Sequence, residues 1–97
     1  MKGINSLNIL IEDIEESLDI IFLIGINSID NKTIEEFKNL SKECNKFGLA
    51  FAEDSTRKIA EELQGLKGSF NRDKSTCIKK ICALNEYLES LKMQLIM

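Results

Sequence analysis

Glu12, Asp13, Glu15, Glu16 and Asp19 crowd five carboxylates into one short stretch with no lysine or arginine between them. At helical spacing such groups are neighbours, and oxygen ligands so placed could hold a divalent cation. The di-iron version of that chemistry pairs a glutamate with a histidine three residues on, and this chain has no histidine. Because burying carboxylates without counter-charges is costly, the expected role is an acidic face turned to water or to a partner.

The three cysteines, Cys44, Cys77 and Cys82, are the next reactive groups. Zinc needs thiolates that converge on one point. On a helix Cys77 and Cys82 diverge by roughly 140°, so Cys44 and Cys77 are expected as small core residues and Cys82 as a flank residue. An odd, sparse set of cysteines is not a secreted disulfide framework and predicts a reducing, cytoplasmic setting.

Nucleophilic catalysis lacks its usual base, since no serine or cysteine has a histidine to activate it. Gly65 and Gly68 are not followed by the Lys-Ser or Lys-Thr of a phosphate loop. The chain is therefore read as no enzyme, with no catalytic residue, no metal site and no cofactor. The one local positive cluster is Arg72, Lys74, Lys79 and Lys80. It could meet a nucleic-acid phosphate, but only Phe70 is near as a stacking platform. Pairing with the acidic stretch near the start of the chain is the favoured expectation.

The elements that carry these residues are read from apolar periodicity. Leu7, Ile11, Ile14, Leu18 and Ile21 recur at four, three, four and three residues, one stripe of a helix over about residues 6–24 with Asn5 or Ser6 as N-cap. Its end, residues 20–26, is apolar on every side and is read as core. Asp30 or Asn31 is placed to cap a second helix, with Thr33 and Glu36 as a fallback capping box. Ile34, Phe37, Leu40, Cys44 and Phe47 form its stripe, and Gly48 after Lys46 marks its stop, with Leu49 folding back onto the last turn.

A third helix over about residues 50–66 presents Ala52, Thr56, Ile59, Leu63 and Leu66, with Ala60 as a close-approach position. Residues 65–73, with two glycines, are the expected longest loop. The last helix repeats Cys77, Ile81, Leu84, Leu88, Leu91 and Leu95 at four, three, four, three and four, the spacing of knobs-into-holes packing.

Ninety-seven residues with no proline, 43% hydrophobic and 30% charged, suit one helical domain able to bury its own core. A net charge of -3 argues against nonspecific nucleic-acid binding. Seven apolar residues are too few for the roughly 20 that span a bilayer. A polar stretch at residues 5–8, followed by acids, predicts no secretory signal. The preference for Ile, Lys and Asn, with only two arginines, suits an AT-rich genome.

The order of these pieces is also suggestive. An acid-rich amphipathic helix ending in LIGI, then NSIDNKTIEEFKNLSKECNKFGLAFAEDSTRKIAEELQG, resembles the helical regions that accompany SWIM-type zinc fingers in large bacterial proteins. Gly25-Ile26, Glu35-Glu36, Gly48-Leu49 and Leu63 are the matching residues, and the match covers about two thirds of the chain. The finger's own Cys-x-Cys and Cys-x-His are missing, so no zinc ligand carries over. The resemblance implies an accessory helical module, whole or part of a longer protein, whose role is contact with other proteins.

The resulting expectation is an all-α, four-helix antiparallel bundle-like domain over residues 1–97, helices one and four supplying most of the core. A variant with three long helices, the middle two merging at Gly48, is the alternative. The expected function is a non-catalytic protein-interaction or scaffolding module. The alternative is a small regulator binding nucleic acid through the basic start of the last helix. Ile20, Leu23, Ile24, Ile78, Leu95 and Ile96 form the candidate interaction surface. A protein partner is expected, a homodimer first of all, with no membrane.

Overall fold

The computed structural model describes residues 2–66 and 74–96, and the side chains of these except residues 2–5, 27 and 96. Among the described residues are four α-helices, α1 (Lys2–Ile24), α2 (Asn31–Lys46), α3 (Ala50–Leu66) and α4 (Ser75–Ile96), and no strand. One 3₁₀ turn, Ile26–Ser28, lies between α1 and α2. The four-helix alternative therefore holds over three merged helices. Helix α1 begins earlier than its caps suggest: Asn5 and Ser6 lie inside it. Of residues 65–73, expected as the longest loop, Gly65 and Leu66 end α3, and 67–73 lie outside the described residues.

The punctuation of the middle of the chain follows local chemistry. Asp30 caps α2, its Oδ1 accepting from the Thr33 backbone N–H and from the Thr33 hydroxyl, both at 2.9 Å. At the far end Gly48 takes φ 72°, a left-handed conformation natural only to glycine. The Leu49 N–H then reaches back to the Cys44 carbonyl and the Gly48 N–H to the Asn45 carbonyl, each at 3.0 Å. That pair of bonds is a Schellman stop. It reverses the chain within three residues, so α3 starts at Ala50 antiparallel to α2.

The helices alternate in direction. Ser41 and Asn45 of α2 meet Glu53 near the start of α3. Glu62 of α3 meets Lys80 of α4, while Phe51 packs against Tyr87, the rings tilted at 45° with centroids 5.0 Å apart. The pairs run in opposite senses along the two helices, as antiparallel packing requires.

The core is shared more evenly than expected. Leu10, Ile11, Ile14, Leu18 and Ile21 come from α1, Ile34, Phe37, Leu40 and Cys44 from α2. Ala52, Ile59, Ala60, Leu63 and Leu66 come from α3, and Cys77, Ile81, Leu84 and Leu88 from α4. Helices α1 and α4 thus do not dominate. Ile29, from the connection after the 3₁₀ turn, is buried as well. Toward the C-terminus of α4, Leu91 and Leu95 are only partly covered.

The reading of residues 20–26 as core is corrected. Only Ile21 of α1's apolar end is inside, 3% exposed, whereas Phe22, Leu23 and Ile24 are 62%, 83% and 47% exposed. The reason is angular. With about 100° per residue, Leu23 points some 160° away from Ile21, and among the described residues no further helix receives it.

Candidate docking surface

Three of the exposed large apolar residues, Phe22, Leu23 and Ile24, follow one another at the C-terminal end of α1, and Phe51 is half-exposed at the start of α3. Leu23 and Ile24 were expected to be uncovered; Phe22 was passed over, although the apolar run already contained it. Ile20 is half-buried, in a groove between α1 and α2. Ile78 is exposed near the start of α4. Leu95 is half-buried and packs partly against the core. The side chain of Ile96 lies outside those described. Ile9 and Met93, large, apolar and exposed, escaped the sequence reading because each lies off its helix's stripe.

The charges are arranged differently from expectation. Lys80 turns to Glu62 of α3 at 3.6 Å rather than to α1. The acidic face of α1 is met instead at the other end of α4, where Lys92 reaches Glu15 at 3.1 Å. The phase of each lysine on α4 decides this. Lys80 and Tyr87 flank the buried stripe on the α3 side, and Lys92 flanks it on the α1 side. Lys79 is exposed and Lys74 half-buried, while Arg72 lies outside the described residues. The expected basic patch is thus divided: one of its lysines is committed to a carboxylate of its own chain.

Glu62 is an unusual acceptor. Its Oε2 is enclosed and has no hydrogen-bond donor in range, so Lys80 supplies charge at a distance rather than a bond. Cys77 and Cys44 are buried, and burial pushes both thiols up to about 11. For Cys77 the nearby Glu62 carboxylate adds to the effect, and for Cys44 Glu53 and Glu43 do. Thiols so shifted are inert packing groups. Cys82 is exposed, as its flank position predicts.

Among the described residues, Glu12, Asp13, Glu16 and Asp19 of α1 form no ion pair; only Glu15 does. No three carboxylates or thiols there come together as a metal-binding set. No described helix is long and apolar enough to cross a membrane.

A groove between α1 and α2 joins these charges to apolar surface. Toward its middle it encloses about 430 Å³ lined by Asp13, Glu16, Ser17 and Ile20 of α1 and Glu36, Asn39, Leu40 and Glu43 of α2. It continues toward the start of α1 past Ile9 and Leu10, facing Lys46 and Phe47. No family model matches the sequence, and neither the curated proteins nor the solved structures searched show a significant similarity to it.

Proposed function

We propose that this chain is a non-catalytic helical module that acts by docking onto another protein surface, a second copy of itself being the first candidate. One observation carries the reading: Phe22, Leu23 and Ile24 stand consecutively exposed at the end of a helix whose next residue inward, Ile21, is fully packed. Fully burying each such side chain is worth about 1.5–3 kcal/mol. Large apolar side chains left in water together at one helix end favour an interaction site there. Ile78, near the start of α4, adds a further exposed apolar residue, and closed two-fold dimers are the commonest way to cover such surface. The resemblance to helical regions beside SWIM-type zinc fingers carries the same implication of protein contact.

Light scattering on the purified chain at high micromolar concentration tests the self-association. A dimer that becomes monomeric on Leu23→Glu, with helix content unchanged, is the expected result. Leu23 is on the surface, so this substitution leaves the fold intact. A wild-type chain that stays monomeric rejects the homodimer.

A further inference from the structure

We propose that the groove between α1 and α2 receives a cationic amphipathic helix from a different protein. The inference rests on the reading of the chain as an interaction module and names the partner for one of its surfaces.

The groove has the shape for a helix. From Ser6 to Ile20 along α1 it is about 21 Å long at 1.5 Å per residue, the length of about four helical turns. Its floor is partly apolar: Leu10 and Leu40 lie buried at the base beside the buried Ser17, and Ile9, Ile20 and Phe47 stay partly open along it. An amphipathic helix laid into such a groove anchors through residues at i, i+3, i+4 and i+7.

The walls select the sign of the occupant's charge. Asp13 and Glu16 stand on the α1 side and Glu36 and Glu43 on the α2 side. Among the described residues only Glu43 has an ion-pair partner, Lys46 at 3.2 Å. Three carboxylates from two helices therefore face one apolar trough without compensation. A helix with lysines or arginines on both flanks of its apolar stripe would neutralise both walls at once, and such complementarity speeds encounter and fixes register.

A second copy of this chain does not fit that description. The outer face of α4 carries Glu86 and Glu89 beside Lys79, and like charges would meet across the groove. On α3 the cations Arg57 and Lys58 are both drawn to Asp54, at 2.6 and 3.0 Å. Among the described residues no exposed helical face combines surplus positive charge with an apolar stripe, which favours a foreign helix as the occupant.

The experiment titrates the full chain into a fluorescent synthetic helix of about 16 residues, leucines on one face and lysines on the flanks, beside a scrambled peptide of the same composition. Saturable one-to-one binding, about tenfold tighter than to the scrambled peptide and weakened by salt, is expected. The double reversal Asp13→Lys with Glu36→Lys should lower the affinity about tenfold or more, and amide chemical-shift changes should centre on residues 9–20 and 36–47. Equal binding of the scrambled peptide, indifference to the double reversal, or shifts confined to residues 22–24 would overturn the proposal. Leu23→Glu separates the two readings. Peptide binding that survives it while self-association is lost supports both. Leu23-dependent self-association without peptide binding removes the groove proposal alone.

Discussion

The Ser41 hydroxyl of α2 donates to the backbone carbonyl of Glu53 on α3 at 2.9 Å, across a chain reversal of three residues. Ser41 is buried, and Asn45 one turn later donates to the carboxylate of the same Glu53. Two side chains of α2 thus hold the first turn of α3 in register.

Removing the first of these contacts should be felt. Ser41→Ala is expected to lower stability by about 1 kcal/mol. The Glu53 carbonyl keeps a second donor, the Thr56 hydroxyl at 3.1 Å, which limits the loss. Urea unfolding followed by circular dichroism should show a lower midpoint with the same slope; an unchanged midpoint would mean that the bond contributes nothing net.

Phe37 is the largest fully buried side chain. Truncation to alanine leaves a cavity in the centre of the bundle and should cost about 3–5 kcal/mol, a large share of the 5–15 kcal/mol typical of whole domains. Phe37→Leu should cost much less. Thermal melts of the two variants should rank in that order, and similar melting points would show that the site collapses around the missing ring.

Thiol labelling should separate the cysteines. Cys82, exposed, is expected to react promptly with a disulfide reagent under native conditions. Cys44 and Cys77, buried and shifted up to about 11, should react only as the chain unfolds. Mass spectrometry over time should give one fast adduct and two that appear together in urea. Three fast adducts would contradict the packing of α2 and α4.

The Asp30 cap gives stability an acid limb. The Thr33 backbone N–H, then the Thr33 hydroxyl, hold its carboxyl below the ordinary 3.8. A carboxyl lowered in the folded state contributes fully above its unfolded value, and the contribution is lost as pH falls through the lower folded value. Asp30→Asn keeps a capping oxygen but does not titrate. Relative to wild type, the variant should therefore gain stability as the pH is taken from neutral to below 3.8. Urea midpoints measured across that range test it, and a constant difference between the two proteins would refute it.

Much of the fold was legible because its signals are local. The stripes of α2 and α3 and the first four positions of the α4 stripe needed only helical period. The boundaries at Asp30 and Gly48 needed only capping and a left-handed backbone. What escaped depends on neighbours. Asn5 and Ser6 can cap a helix, but nothing in them prevents one from running through. The apolarity of Phe22, Leu23 and Ile24 states what would be gained by burial, without stating whether another helix is there. The partner of Lys80 was misjudged for the same reason: sign and spacing do not say which of two flanking helices lies on its side of α4. The α1–α2 groove needs two helices at a set separation, so only its acidic residues could be seen beforehand.

The Schellman turn at Gly48 also orders events in time. A reversal this short lets α2 and α3 meet with little loop-closure entropy, so their hairpin is the natural first piece to assemble. The seam between α1 and α4 joins residues as far apart as Glu15 and Lys92, and it can close only after the chain has come full circle. Hydrogen exchange should accordingly find its slowest amides in the hairpin and its first openings where the two ends of the chain meet.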